Sequence, residues 1–231
     1  AGRDRGEEKD IVRVTNFKLG ICVPLTYHSV PSAFFDSFIA MEKPDFLYFR
    51  TSGKPLDDMR NALLDDAMSA GCTHIIMMDT DQCYPANTIP RLLSHNLPIV
   101  GGMVNRRYPP FDPLLLIGDT GGYRTAEDWK PGDLVEVDAT GTGCLLFQTE
   151  VFKKMPSPWF RFRMVGGRQV GEDIGFCADA KAAGFKIFVD TSVEIAHLTQ
   201  FQVTMGTYEL FMSVEKEKKR RAEKAAQQQA A

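Results

Sequence analysis

The sequence predicts an α/β fold in which a largely parallel central sheet is sandwiched by helices. Apolar runs alternate with segments of helical periodicity in the first half of the chain, and further short apolar runs follow in the second half. The 231 residues are 44% hydrophobic and 25% charged, a composition typical of a globular domain with an ordinary core.

The first half alternates strands with helices. One apolar run ends abruptly at Asp79, and its branched residues are typical of a central parallel strand. Gly71 stands where the preceding helix is expected to end. We predict strands over 19–25, 46–49 and 73–78, and helices over 31–41 and 56–69.

The second half is richer in strands, with Gly- and Pro-containing loops between them. A helix after Gly171 is closed by Gly184, and His197 is expected in the loop after the last strand. We predict strands over 99–104, 114–117, 134–137, 144–147 and 185–189, and helices over 173–183 and 208–228. Residues 1–16 are expected to be flexible, 17–206 to form the main domain and 207–231 a charged helix.

Composition excludes several classes of partner and site. A net charge of -3 gives no overall attraction to nucleic acid or anionic lipid. The five cysteines contain no CxxC pair, which favours reduced thiols over a zinc site or a disulfide framework. No apolar run reaches 18 residues, and the first ten residues are mostly charged, so we expect a cytoplasmic protein without a membrane segment or signal peptide.

The most informative motif is Asp79-Thr80-Asp81, which follows the predicted central strand. Ligands of open parallel sheets bind beyond the carboxyl ends of the strands. Two carboxylates there can bind one Mg²⁺ or Mn²⁺ together with phosphate oxygens. The alternative is a structural turn or cap, which is the more common use of such pairs.

Three separated segments form a pattern: Arg60-Asn61 with the following IIMMDTDQCYP, then Gly171-Glu172-Asp173, then Ile195-Ala196-His197-Leu198. Taken together they resemble the GT-A glycosyltransferases, in particular the large inverting family with an Asp-x-Asp motif. Their order and spacing agree over about residues 19 to 200. The chain departs from the pattern after the second strand, where it has Arg50-Thr51-Ser52-Gly53 in place of acidic residues, and it lacks a Gln-x-x-Arg-Trp segment.

The resemblance implies transfer of a single sugar from a nucleotide-diphosphate donor, with a UDP-sugar as the expected donor. It implies a divalent cation, Mn²⁺ or Mg²⁺, held by Asp79, Asp81 and His197. An imidazole ligand favours manganese. The expected donor contacts are Arg60, Asn61, Asp79 and Arg106, and Arg107 is a further candidate for phosphate binding.

Asp173 is the expected general base, and Glu172 is expected to orient the acceptor. The predicted position of Asp173 near a helix start favours its ionised form, so that it can accept the proton of an acceptor hydroxyl. Transfer with inversion is therefore favoured over retention. The alternative interpretation of Asp173 is a simple helix cap.

Other functions remain open from the sequence. A nucleotidyltransferase would use a similar sheet, although the loop after the first strand lacks the expected Gly-rich, basic segment. A catalytically silent nucleotide-sugar binding module is a second alternative, and a glycosyltransferase acting on hydroxylated DNA bases is a third. The acceptor is a hydroxyl group of a glycan, a protein, a small molecule or modified DNA, and the C-terminal helix is a candidate oligomer contact.

Overall fold

A computed structural model describes residues 17–229. The predicted flexible segment 1–16 lies outside the described residues. The strands are β1 (Leu19–Leu25), β2 (Phe46–Ser52), β3 (His74–Met78), β4 (Gln82–Cys83), β5 (Ile99–Val104), β6 (Leu116–Asp119), β7 (Gly122–Thr125), β8 (Leu134–Val137), β9 (Cys144–Gln148), β10 (Arg163–Val165), β11 (Arg168–Val170) and β12 (Ile187–His197). The helices are α1 (Ser32–Ala40), α2 (Leu56–Ser69), α3 (Thr88–Ser94), α4 (Glu150–Lys154), α5 (Glu172–Ala182) and α6 (Met205–Gln229).

Eight strands form the central sheet, in the order β2-β1-β3-β9-β5-β12-β4, with β8 also paired to β12. Strands β1, β2, β3, β5 and β12 run in the same direction, because β9 is antiparallel to both β3 and β5. The prediction of a mostly parallel sheet is therefore confirmed. Strands β4 and β8 run antiparallel to β12.

Strand β3 shows why the central strands are apolar throughout. Ile75 and Met77 belong to one core cluster, whereas Ile76 and Met78 belong to the other. Successive side chains of a strand point to opposite faces, so a strand covered on both sides alternates between two cores. Residues of α2, α4 and α5 line the first core, and residues of α1 and α3 line the second. The helices thus sandwich the sheet as predicted.

The last strand of the sheet is longer than predicted. The sequence predicted a strand over 185–189 with His197 in the following loop, but β12 extends to His197 and pairs there with Gln82. Polar residues around Asp190 interrupt the apolar pattern at a register shift between Asp190 and Glu194. The prediction that His197 lies in a loop is therefore wrong.

The described residues form two units, of which the first ends at Leu198 and the second begins at Thr199. The second unit contains α6, whose bounds enclose the charged helix predicted over 208–228. Within residues 17–229, no helix combines the length and the apolar character needed to cross a membrane.

Candidate active site

The acidic pair lies directly after β3, at the carboxyl edge of the sheet. The Asp79 backbone N–H donates to the Gly143 carbonyl over 3.0 Å, which continues the pairing of Met78 with Cys144 by one step. A Cβ atom on Gly143 would lie 2.8 Å from Asp79 Oδ2 and 2.2 Å from Gln82 Nε2. Only a glycine leaves room for these side chains, because real Cβ atoms do not approach other atoms so closely.

Tyr84 contacts the backbone at both Asp79 and Gly143, and the sequence did not identify it as a site residue. Its side chain is buried, with 4% exposed, and its hydroxyl lies 2.8 Å from the carbonyl oxygens of both Asp79 and Gly143. Burial raises the pKa of Tyr84 well above its ordinary value, so the hydroxyl keeps its proton and donates. No periodic signal marks a tyrosine as a clamp, because its partners come from separate loops.

Asp81 and His197 come together because β4 pairs with the end of β12. The Leu198 backbone N–H donates to the Asp81 carbonyl over 2.7 Å, and His197 Nε2 lies 3.4 Å from Asp81 Oδ2. Burial raises the pKa of Asp81, but the hydrogen bond and charge of His197 and the charge of Arg107 lower it below its usual range. Burial lowers the pKa of His197, but the interactions with Asp81 and the Asn105 carbonyl outweigh burial, so the net effect is a raised pKa.

The second ring nitrogen of His197 is already engaged. Nδ1 lies 2.8 Å from the backbone carbonyl oxygen of Asn105, and a carbonyl oxygen can only accept, so Nδ1 carries a proton. In the neutral ring the lone pair is then on Nε2, which faces Asp81. Metal-binding histidines are commonly oriented by this kind of backbone contact.

Arg60 connects the acidic pair to the start of α5. Only 2% of Arg60 is exposed, and its Nε donates to Glu172 Oε1 over 3.2 Å. Its Nη2 lies 3.0 Å from Asp79 Oδ1 and donates to Asp79 Oδ2 over 3.1 Å. The sequence predicted Arg60 as a donor contact; the structure places its guanidinium between two carboxylates. The two ion pairs of Arg60 therefore hold the carboxylates of Asp79 and Glu172 in position.

Asn61, a predicted donor contact, makes four hydrogen bonds within the protein. Its Oδ1 accepts the backbone N–H groups of Trp159 and Phe160 over 2.9 and 3.0 Å. Its Nδ2 donates to the carbonyl oxygens of Asp57 and Phe160 over 2.9 and 2.7 Å. These four bonds use the whole capacity of the amide. Asn61 thus holds the segment around Phe160 against α2.

Asp173 is the second residue of α5, after the N-cap Gly171. Its Oδ1 accepts the backbone N–H of Ile174 over 2.7 Å, so it satisfies one free N–H of the first turn. Burial and the charge of Glu172 raise the pKa of Asp173 to about 6, and the Ile174 N–H and Arg60 offset this only in part. The expectation that the helix start favours the ionised form is corrected, because burial and like charge outweigh it.

A cleft of about 160 Å³ opens beside the acidic pair. Thr26 and Tyr27 line it from the loop after β1, and Arg107 lines it from the loop after β5. The predicted donor contact Arg106 is exposed on the same loop, and its backbone N–H donates to the Asp112 carbonyl over 2.9 Å. The sequence did not identify Thr26 or Tyr27, although both follow a parallel strand at its carboxyl end. The full lining is Pro24, Thr26, Tyr27, Leu56, Asp79, Thr80, Asp81 and Arg107.

Buried polar atoms without a hydrogen bond cluster at this site. Four buried side-chain atoms among the described residues accept or donate no hydrogen bond, and three of them are Arg60 Nη1, Asp79 Oδ1 and Thr142 Oγ1. Buried polar atoms are nearly always paired, so such a cluster indicates a position where a ligand, an ion or water completes the bonding.

Comparisons with known proteins give relatives in structure only. No family model and no curated protein matches the chain. A197 from STIV superposes with a TM-score of 0.55 at 17% identity, covering 80% of this chain and 87% of that one. GalNAc-T7, solved with UDP, GalNAc and Mn²⁺, gives 0.57 at 10% identity, over 80% of this chain and 44% of that one. S. aureus TarS gives 0.50 at 12% identity, over 80% and 37%.

These neighbours are GT-A glycosyltransferases. The chain has the GT-A fold. It spans less than half the length of GalNAc-T7 and of TarS. At 10 to 17% identity the GT-A likeness establishes the architecture and leaves substrates to be argued from the site.

The side chains at the carboxyl edge of this GT-A sheet fit a divalent cation that is shared with a ligand. Within residues 17–229, no three His, Cys, Asp or Glu side chains converge as a self-contained metal site. Asp81 and His197 face each other, while Asp79 turns to Arg60 and keeps Oδ1 free of hydrogen bonds. One or two carboxylates completed by phosphate oxygens and water are the usual arrangement for Mg²⁺ with a phosphorylated substrate.

Proposed function

We propose that this protein is a metal-dependent glycosyltransferase that transfers one sugar from a nucleotide-diphosphate donor, a UDP-sugar, to a hydroxyl acceptor with inversion. One observation carries the proposal. On a GT-A fold, two linked groups meet at the carboxyl edge of the sheet: Asp81 with His197, and Asp79 with Arg60 and Glu172. The Mn²⁺ and UDP of GalNAc-T7 support this choice of cation and nucleotide.

On the donor side, Asp81 and His197 would hold the cation, with Asp79 as the third candidate ligand. A bound divalent cation neutralises the negative charge that develops on the departing diphosphate. The Asn105 carbonyl keeps the Nε2 lone pair of His197 directed to the site. The buried Arg60 holds the Asp79 carboxylate in place through an ion pair, because the guanidinium remains charged at every relevant pH.

On the acceptor side, Asp173 would act as the general base. Its carboxylate takes the proton as the acceptor oxygen bonds to the anomeric carbon, and the bond from that carbon to the phosphate oxygen breaks. A pKa of about 6 suits a base that works near neutral pH. Glu172 is paired with Arg60 over 3.2 Å, so its carboxylate would orient the acceptor and would not take the proton. This division of labour favours inversion.

The proposal extends to the rest of the chain. Residues 17–206 would form the glycosyltransferase domain, and the charged helix over 207–231 would serve as an oligomer contact. All five cysteines are free thiols, which supports the cytoplasm as the compartment. The acceptor is a hydroxyl group whose carrier the site does not name.

A donor screen tests the proposed function. The full chain is incubated with Mn²⁺ and a panel of UDP-sugars, and released UDP is measured with water as the default acceptor. We expect one donor to be hydrolysed, EDTA to abolish the release and Asp81→Asn to reduce it about a hundredfold. Asp128→Asn, which neutralises an exposed aspartate, is the matched control and should retain full activity.

The same screen can contradict the proposal. If no UDP-sugar is hydrolysed and UTP with a sugar phosphate yields pyrophosphate, the chain is a nucleotidyltransferase. UDP release that persists in Asp81→Asn at the wild-type rate would remove the assigned metal site.

A further inference from the structure

A positively charged side chain, that of Arg107, lies at the proposed metal position. Arg107 Nη1 donates to Asp81 Oδ2 over 2.8 Å. That oxygen also faces His197 Nε2 at 3.4 Å. The oxygen that a divalent cation needs is therefore already paired with a guanidinium.

A guanidinium and a divalent cation cannot share this oxygen without strong repulsion. Two charges about 4 Å apart interact by about 4 kcal/mol per unit charge pair near a protein surface. Metal binding at Asp81 therefore requires Arg107 to leave. The side chain of Arg107 is 41% exposed, and its long stem can move into solvent or along the cleft without disturbing the core.

Its surroundings give Arg107 a new partner once it leaves Asp81. Arg107 lines the cleft together with Thr26 and Tyr27, and the proposed diphosphate would bind in this cleft beside the acidic pair. A guanidinium binds phosphate through paired, planar hydrogen bonds. By contrast, the guanidinium of Arg60 is buried and paired with two carboxylates, so Arg60 cannot make this exchange.

We propose that Arg107 is an exchangeable cation. In the free protein it neutralises Asp81 and competes with the divalent cation, and in the donor complex it transfers to the diphosphate. This proposal rests on the proposed function and adds to it a coupling between metal and donor: each weakens the hold of Asp81 on Arg107. Metal and nucleotide diphosphate should then bind cooperatively.

Two binding measurements on the full chain test the exchange. In the first, Mn²⁺ alone is titrated and free Mn²⁺ is followed by electron paramagnetic resonance. Arg107→Gln should bind Mn²⁺ about threefold to tenfold more tightly than wild type, because a competing charge is gone. Arg124→Gln, an equal change of charge at an exposed arginine of β7 that does not line the cleft, should leave Mn²⁺ affinity unchanged, since no ion pair of Arg124 occurs in the described part of the chain.

In the second measurement, UDP is titrated by calorimetry at saturating Mn²⁺. Arg107→Gln should bind UDP about tenfold to a hundredfold more weakly, because a charge-assisted bond to phosphate is lost. The same substitution thus acts with opposite signs in the two titrations. A merely structural surface pair would change neither.

The outcomes separate this proposal from the function on which it rests. Unchanged or weaker Mn²⁺ binding in Arg107→Gln overturns the competition, and unchanged or tighter UDP binding overturns the transfer. If wild type and Asp81→Asn bind Mn²⁺ and Mn²⁺ with UDP equally, the metal site itself is refuted. Thermal unfolding of Arg107→Gln, expected at the wild-type temperature, verifies that the variant is folded.

Discussion

Replacing Arg60 with methionine should strongly destabilise the protein. The change removes a cation that is 2% exposed and leaves Asp79 and Glu172 without their ion-pair partner. Breaking a buried pair by removing one member costs about 3–5 kcal/mol, because an uncompensated charge stays behind. For a chain of this size, each kcal/mol lowers the melting temperature by about 2–4 °C. We therefore expect a decrease of about 6–20 °C.

The assay is urea and thermal unfolding of Arg60→Met beside two further variants. Lys186→Met removes an exposed pair with Glu136, whose members are 67% and 51% exposed, and should cost less than about 1 kcal/mol. Adding Glu172→Gln to Arg60→Met should recover part of the loss, because one stranded charge is neutralised. A loss below about 1 kcal/mol in Arg60→Met would refute the reasoning that this network organises the site.

Three further predictions concern single residues around the site and the sheet. Asp173→Asn should lower the rate of sugar transfer about a hundredfold to ten-thousandfold without changing UDP binding. In the wild type, kcat/KM should fall about tenfold per pH unit below about pH 6, because the base must be deprotonated and the pKa of Asp173 is raised to about 6. A pH-independent rate between pH 5 and 7 would contradict this. Gly143→Ala should displace Asp79 and Gln82, since its Cβ would lie 2.8 and 2.2 Å from them, and should weaken Mn²⁺-dependent UDP binding at least tenfold; wild-type binding by calorimetry would show that the loop yields freely. Asp190→Asn should lower the free energy of unfolding by about 2 kcal/mol at pH 7, because this fully buried carboxylate accepts hydrogen bonds from Arg91 and Ser192 and faces His95. These bonds outweigh the effect of burial and lower the pKa of Asp190, so its stabilising contribution is present above about pH 4 and is lost as the pH falls through the pKa of the folded state. Urea unfolding should therefore show the stabilities of variant and wild type converging in acid.

Strands β1, β5 and β8 and helix α2 have the bounds that the sequence predicts. The three strands are largely apolar runs that end at polar residues. Helix α2 has one apolar face, and Gly71 follows its end in the left-handed conformation, at a φ of 79°. Strand β12 was predicted too short because polar side chains interrupt it at a bulge. The two-residue strand β4 is too short for any periodicity to show.

The sequence predicted candidate residues of the site but not the contacts between their side chains. A carboxylate pair after an apolar strand indicates a site from local pattern alone, so Asp79 and Asp81 could be predicted as candidates. The burial of Arg60 between two carboxylates was not predictable from the sequence, because its partners lie 19 and 112 residues away along the chain. The engagement of Arg107 with Asp81 depends likewise on a loop that the chain brings back from 26 residues away.

The most direct test of the metal site is anomalous diffraction at the manganese edge from crystals of the full chain grown with Mn²⁺ and UDP. We expect one anomalous peak in contact with Asp81 and His197 Nε2, with UDP phosphate oxygens as further ligands and Arg107 no longer paired with Asp81. A peak elsewhere, with the Arg107 to Asp81 pair intact at 2.8 Å, would contradict it.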